Sequence, residues 1–326
     1  MRIGILGASR WAPMTLLAPA KDNTSVVVAA VASRDVSRAR AFAAKHGIDR
    51  VYDDYAALIA DPELDAVYNL LPTSMHGRWT RATLDAGKHV LCQKPFSANG
   101  AEAREIAELA GKCDRVVMEA LQYRYHPLTS RVEQIIASGE LGNLERVEIA
   151  ICVLLPKRSN ANAYDYSLAG GALMNTGVYV VDMARTFGGS TPDVVSARAK
   201  LDAPRVDRAM MAEVRFAGGH TGLLRCAQWS SDLFRASVTA IGDRGRLRYR
   251  SPAAPHLIPR LSIRSADGKR VERFPRRSSY AYQLEAFAGA VLRGEPVKTT
   301  PQSAIENMTV IDAIYRAAGL PLRQPS

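Results

Sequence analysis

Over roughly its first third the chain alternates short apolar runs with stretches of helical length, a rhythm that few folds accommodate. Residues 2–6, 26–32, 66–71, 89–92 and 116–119 are apolar runs of strand length. Segments of helical character lie between and after them, at 13–20, 36–46, 54–59, 76–86 and 101–110. Continuous apolar runs mark strands buried on both faces, so the pattern predicts a doubly wound parallel α/β sheet with right-handed crossovers over residues 1–121.

Two short motifs refine this. Gly7-Ala8-Ser9-Arg10-Trp11-Ala12 follows the first run and leads into a helical stretch, fitting G-x-G-x-x-A with Ser9 in place of the second glycine. Small residues at these positions allow a tight turn, approach of a pyrophosphate to backbone N–H groups, and close helix–strand packing, the mark of a Rossmann dinucleotide site. The second run ends in Ser33-Arg34-Asp35. A hydroxyl and a guanidinium suit the 2′-phosphate of NADP(H) better than the bare ribose of NAD(H). Arg10 offers that phosphate a second cation, and Asp35 is placed to cap the helix at 36–46, which Gly47 closes.

Further along, Gly87 ends a helix, residues 89–92 form a strand, and Gln93-Lys94-Pro95 follows it. Ligands of open α/β sheets bind beyond the carboxyl ends of the strands, and proline restricts the residue before it to extended geometry. Lys94 is therefore an amine of defined direction at the edge where cofactor and substrate meet. His76, at the start of a helix, fits either a capping and packing role or a contact with the nicotinamide.

Past residue 121 the pattern changes. A helix at 128–138 leads to a strand at 144–155, a polar loop at 156–169 and a helical segment at 170–187, on which Asn175 and Tyr179 share a face. Strands follow at 194–201, 212–216, 221–229, 236–241, 246–249 and 261–264, with Gly218-Gly219 as a hairpin turn, and helices at 280–292 and 301–318 end the chain. This predicts a second, α+β domain over 122–326 built on a large, mostly antiparallel sheet.

Forty-three Lys and Arg against 32 Asp and Glu give a net charge of +11, which raises the possibility of nucleic acid. The basic residues are scattered, without aromatic interleaving or a recognition-helix pattern, so no nucleic-acid partner is expected; attraction to anionic small molecules explains the charge more cheaply, and an arginine-rich surface reflecting a GC-rich genome more cheaply still. Cys92, Cys113, Cys152 and Cys226 lack metal-ligand spacing and read as buried free thiols of a reducing compartment, with no metal site. The first residues lack the apolar length of a signal peptide, and no run approaches a membrane span. A soluble cytoplasmic protein is the expectation.

Taken in order, these pieces resemble the Gfo/Idh/MocA oxidoreductases over nearly the whole length. Gly7-x-Ser9-x-x-Ala12, Ser33-Arg34-Asp35, Pro72-Thr73-Ser74-Met75-His76, Ala86-Gly87-Lys88-His89-Val90 with Lys94-Pro95, Glu119-Ala120 before Arg124, and Gly170-Gly171-Ala172-Leu173 through Tyr179 carry the likeness. The second half is most similar to the branch of dimeric dihydrodiol dehydrogenases, glucose–fructose oxidoreductases and sugar-nucleotide ketoreductases, which have tyrosine where inositol dehydrogenases have histidine. The resemblance implies hydride transfer between NADP(H) and a carbinol or carbonyl carbon of a sugar, sugar derivative or cyclic polyol. It assigns Lys94 to the substrate oxygen and Tyr179 to proton transfer, with Asn175 beside them. A nearby ammonium favours the phenolate, bringing a phenol into the range of neutral-pH chemistry.

Cofactor contacts are implied for the Gly7–Ala12 turn, including Ala8 and Trp11, for Ser33 and Arg34, for Leu71, Pro72, Thr73 and His76, and for Gln93 and Lys94. Substrate contacts are expected from Arg124, Asn160, Tyr164, Asn175 and Tyr179. The resemblance also implies a homodimer or homotetramer formed through the exposed sheet face. Two positions depart from the family pattern: Gln93 stands where a glutamate is usual, and Asn175 where an aspartate is. Each amide orients neighbours but accepts no proton, which leaves open an altered substrate or a nucleotide-sensing regulator on the same scaffold, of which the family includes one case.

Overall fold

A computed structural model describes residues 1–229, 235–266 and 268–326. The chain forms two compact units: Met1–Leu121 with Tyr280–Ile305 and Pro325–Ser326, and Gln122–Ser279 with Glu306–Gln324. Residues 280–305, which sequence order groups with the second half, thus return to the first unit.

The first unit is built on six parallel strands: β1 (Arg2–Leu6), β2 (Val27–Ala32), β3 (Arg50–Tyr52), β4 (Ala66–Asn69), β5 (His89–Gln93) and β6 (Val117–Ala120). Their order is β3-β2-β1-β4-β5-β6, so the connections change direction between β1 and β4, the switch point at which such sheets bind ligands. β3 was not foreseen, because its three half-buried residues make no apolar run. The crossover helices include α2 (Val36–His46), α3 (Tyr55–Ala60), α4 (His76–Asp85) and α5 (Gly100–Lys112). Side-chain caps start three of them: Asp35 accepts from Arg38 N, Asp54 from Ala57 N and Asn99 from Glu102 N. A π-helical turn, Pro13–Leu17, precedes the short α1 (Ala18–Lys21). Leu6, Ala30, Ala32, Leu58, Leu64 and Val67 close one face of the sheet, and the Tyr55 ring meets Trp79 edge-on at 5.1 Å.

The second unit is an eight-stranded sheet of β7 (Leu144–Cys152), β8 (Asp193–Ala203), β9 (Val206–Arg215), β10 (Thr221–Ala227), β11 (Ala236–Gly242), β12 (Gly245–Arg250), β13 (Arg260–Ser265) and β14 (Gly268–Arg273). The order is β14-β13-β12-β11-β7-β10-β9-β8, antiparallel throughout except for the β7–β10 pair. β14 escapes sequence patterning because Lys269, Arg270, Glu272 and Arg273 interrupt every apolar position but Val271. Helix α7 (Val178–Gly188) packs on β7 and β10, helix α6 (Pro127–Ala137) packs on α7, and Val147, Ile149, Val238, Leu247 and Tyr249 of the sheet are buried. Strand alternation turns Arg246, Arg248 and Arg250 to the other face, where they are exposed. α7 is enclosed, with every residue from Val178 to Ala184 buried. The closing helices are α8 (Ser279–Arg293) and α9 (Pro301–Ala317). Among the described residues no helix is long and apolar enough to cross a membrane. Cys92, Cys152 and Cys226 are buried free thiols; Cys113, following α5, is half-exposed, because it ends a helix instead of facing the sheet.

An ion pair with both side chains fully buried fastens the end of the chain to this unit. Arg323 donates to Asp207 Oδ1 at 2.7 Å and to Gly170 O at 2.6 Å, with its guanidinium 4.3 Å from the Tyr315 ring centre. Asp207 also accepts from Leu173 N and from the Tyr315 hydroxyl. A Cβ at Gly171, whose φ is +136°, would fall 2.2 Å from Asp207 Oδ1, so the glycine permits the approach. Replacing one partner of such a pair strands the other charge without water. Arg323→Met is expected to cost roughly 3–5 kcal/mol of unfolding free energy in urea melts; a loss below about 1 kcal/mol would contradict this account of the pair.

Candidate active site

The turn after β1 has the form its sequence suggests. Gly7 takes φ +96°, and a Cβ there would lie 3.2 Å from Leu70 O and 3.3 Å from Leu71 Cδ2. Ser9 Oγ accepts from Trp11 N at 3.2 Å, and Ala12 is fully buried where the turn enters the helical segment. The turn is thus a small-residue cradle with its first glycine sterically required, and it fits the pyrophosphate of a dinucleotide. Arg10 stacks on Trp11 with 5.1 Å between guanidinium carbon and ring centre. Beyond β2, Ser33 is buried and Arg34 exposed. Asp35 is occupied as the cap of α2, accepting from Arg38 N and from Ser37 Oγ, and the Ser37 bond holds its carboxyl below the usual range. Arg38, which no motif singled out, donates Nε and Nη2 to Ala8 O at 3.2 and 2.9 Å and so braces the turn from α2.

Between the ends of β4 and β5 sits His76. Its Nδ1 lies 2.7 Å from Pro95 O and its Nε2 lies 2.8 Å from Leu71 O, and the residue is wholly buried. Both neighbours are acceptors and favour a protonated ring, whereas burial pulls the pKa below its ordinary value. Of the two roles open to it from sequence, the packing role is the one these bonds describe: the ring joins the loop holding Leu71, Pro72 and Thr73 to the loop holding Lys94. Asn69 supports the same corner, donating to His76 O at 3.1 Å.

Lys94 follows β5 across a cis peptide to Pro95. Its side chain is half-buried, and desolvation pulls the amine down to about 8, opposed by the charge of Glu119. Glu119, at the end of β6, is itself committed to the backbone, accepting from Phe96 N at 2.9 Å. Gln93 Oε1 accepts from Lys94 N at 2.9 Å, and its amide donates to the Tyr68 hydroxyl at 3.3 Å. An amine near 8 exchanges protons at physiological pH, which an ordinary lysine does not.

In the second unit a π-helical turn, Leu173–Gly177, runs into α7 and brings Asn175 and Tyr179 to one side. The Tyr179 hydroxyl donates to Gln122 Oε1 at 3.1 Å, and its ring meets Tyr123 at 6.2 Å in an edge-on arrangement. Asn175 donates to Gln228 Oε1 at 3.4 Å; Gln228 is fully buried and donates in turn to Ala163 O. Neither glutamine stands out in the sequence, since each derives its role from a partner distant along the chain. Arg124 is held by Asp182 and Thr186, and Asp182 also receives the Tyr123 hydroxyl. Tyr164 is pinned by its hydroxyl to Leu155 O at 2.7 Å, while Asn160 lies in the 156–169 loop, donating to Pro156 O. A separate groove of about 660 Å³ on the open face of the eight-stranded sheet contains none of these residues.

A nucleotide-type cradle, a desolvated lysine at the strand ends and a second α+β unit define a nicotinamide-type oxidoreductase architecture, and the comparisons agree. Residues 1–121 match the GFO/IDH/MocA family described as "Oxidoreductase family, NAD-binding Rossmann fold", and residues 129–248 match the "GFO/IDH/MocA C-terminal domain". The chain belongs to the GFO/IDH/MocA oxidoreductase family. It is 35% identical over 324 residues to D-xylose 1-dehydrogenase (NADP(+)) 2 of Haloferax volcanii, covering 98% of this chain and 97% of that one. It is 31% identical over 257 residues to the trans-1,2-dihydrobenzene-1,2-diol dehydrogenase of Bos taurus, covering 77% and 75%. Among solved structures it resembles a 3-ketoreductase from Actinomadura kijaniata in complex with NADP, with a TM-score of 0.84, 26% identity and 97% of both chains covered.

The electrostatics of Lys94 yield a direct test. Its acylation by a small amine-reactive ester, followed site by site with peptide mass spectrometry, is expected to reach half its limiting rate near pH 8. Gln93→Glu adds a carboxylate next in the chain and should move that midpoint upward; a midpoint in the ordinary lysine range for the unaltered protein would contradict the desolvation.

Proposed function

We propose that the protein is an NADP(H)-dependent oxidoreductase acting at a carbinol or carbonyl carbon of a sugar, sugar derivative or cyclic polyol. The observation that carries this reading is the half-buried Lys94 amine, pulled to about 8 at the carboxyl end of β5 in a sheet that also bears the Gly7 cradle. Membership of the family, and relatives named as an NADP(+)-dependent xylose dehydrogenase and an NADP-bound 3-ketoreductase, support it. In this reading residues 1–121 hold the cofactor and 122–326 supply the substrate pocket and the oligomer contacts. When bound, NADPH supplies the hydride. Ser33 and Arg34 hold the 2′-phosphate, and the Gly7–Ala12 turn braced by Arg38 holds the pyrophosphate. Lys94 stabilises the oxygen of the reacting carbon as negative charge develops on it, and Tyr179 delivers the proton that completes the hydroxyl. Asn175 orients the substrate from one turn before Tyr179, and Asn160 and Tyr164 shape the pocket loop.

Keto-sugar-dependent oxidation of NADPH, followed at 340 nm, is the test. Lys94→Met and Tyr179→Phe are each expected to lower kcat/KM by on the order of 10² to 10⁴. Arg34→Ala should weaken NADPH by roughly 10-fold or more while leaving NADH nearly unchanged; equal losses would overturn the NADP assignment. A second reading, a nucleotide-sensing regulator, is favoured by the amides Gln93 and Asn175 at positions where the family usually has carboxylates. Tight NADPH binding without turnover on a broad carbonyl panel would establish it in place of the enzyme.

The same reading places the protein in the cytoplasm as a homodimer or homotetramer formed through the open face of the eight-stranded sheet. That face carries Arg225, Arg235, Arg246, Arg248, Arg264 and Lys269, none of which makes an ion pair among the described residues, against Glu148. Pairing copies of one patch brings like charges together. Self-association should therefore strengthen between about 0.02 and about 0.5 M salt in sedimentation velocity, as screening grows; weakening with salt would rule out this face.

A further inference from the structure

The phenol of Tyr179 donates its hydrogen to a group that cannot take a proton. Gln122, the first residue of the second unit, is 2% exposed and Tyr179 is 8% exposed, so water competes little for the bond between them. The amide of Gln122 has its orientation assigned by its other partner: Nε2 donates to Ala253 O at 2.8 Å. Turned over, the amide would set its oxygen against the Ala253 carbonyl and its NH₂ against a phenol already carrying hydrogen, losing one bond and straining the other. Gln122 therefore presents an acceptor, Oε1, to the Tyr179 hydroxyl at 3.1 Å. A hydrogen bond accepted from the neutral form of a group favours that neutral form, because the phenolate would face the oxygen's lone pairs instead.

Among the described residues, the charged cluster beside Tyr123 is engaged with itself. Tyr123, edge-on to Tyr179, gives its hydroxyl to Asp182, and the Asp182 carboxylate is also paired with Arg124 at 3.4 Å and Arg185 at 3.6 Å. Asn307, which donates to Val178 O on the same helix, is neutral. On the reading proposed above, Lys94 is the cation that pulls the phenol toward ionisation.

We propose that Gln122 is a positioning residue that aims the Tyr179 hydroxyl and keeps it protonated, so that the site rests in the form that gives a proton to a carbonyl oxygen. This rests on Tyr179 as the proton carrier. The step balances as carbonyl reduction: bound NADPH would supply the hydride to carbon and leave as NADP⁺, the Tyr179 proton completes the alcohol at oxygen, and the phenolate regains a proton from solvent. Oxidation needs the reverse, a phenolate to receive the proton, and Gln122 opposes that form. The glutamine thus sets the pH range over which reduction runs.

The test compares Gln122→Met, which keeps length and packing but removes the acceptor, with Gln122→Glu, which places a negative charge against the phenol. Two readouts are taken: the pH profile of kcat/KM for keto-sugar reduction, and the ultraviolet titration of Tyr179, obtained by subtracting the same protein carrying Tyr179→Phe. In Gln122→Met the Tyr179 midpoint is expected to fall by about one pH unit, and the alkaline limb of reduction should fall with it while the maximal rate of oxidation rises. In Gln122→Glu both midpoints should rise. Opposite shifts are not what general loosening of the fold would produce, and if the Met variant does not fold the Glu variant decides. Titrations that superimpose on the unaltered protein overturn the proposal. If the ultraviolet midpoints shift but Tyr179→Phe leaves turnover intact, the bond stands and the catalytic reading of Tyr179 is what fails.

Discussion

One imidazole holds two carbonyl groups at the ligand-binding edge of the parallel sheet. His76 bridges Leu71 O and Pro95 O, so the loops after β4 and β5 keep a fixed relation. A neutral ring has one N–H to donate, so it satisfies one of these carbonyls, which would otherwise stand unpaired at a cost of about 1–3 kcal/mol. The amine of Lys94 hangs on the second loop. Its partial burial weakens its hold on a proton only because that loop keeps it against protein and away from water. The clamp therefore precedes the chemistry: the perturbation of Lys94 follows from backbone held in place by His76.

Amides stand beside the singled-out groups in both units. In the first unit Gln93 is bonded to the Lys94 amide N–H; in the second, Asn175 is bonded to Gln228 and the Tyr179 hydroxyl rests on the amide of Gln122. The carboxylates that remain in the same elements are taken up elsewhere, Glu119 by Phe96 N and Asp182 by Tyr123, Arg124 and Arg185. Gln122 Oε1 favours a protonated Tyr179, while desolvation loosens the hold of Lys94 on its proton.

Much of this was legible in residue order. The short apolar runs returned as β1, β2, β4, β5 and β6, and the caps Asp35 and Gly47 bound α2 where they were expected. β3 and β14 were missed, one too short and half-buried, the other charged at most positions, so neither left an apolar run. Gly7 was readable because its need is local: positive φ and a crowded Cβ. Gln122, Gln228 and Arg38 were not, because a glutamine or arginine has no pattern of its own until a distant chain segment supplies its partner.

By itself the sequence determined the alternation of strand and helix, the glycine turn, the Ser33-Arg34 pair and the lysine after β5, since each depends on backbone preference or spacing within a few residues. Only the tertiary structure decided that His76 is wholly buried between two carbonyls, that residues 280–305 return to the first unit, and that the Tyr179 hydroxyl rests on an amide oxygen. Those facts rest on desolvation and on hydrogen bonds between groups far apart in the chain. Burial and partnership of that kind come into being only when the chain has closed on itself.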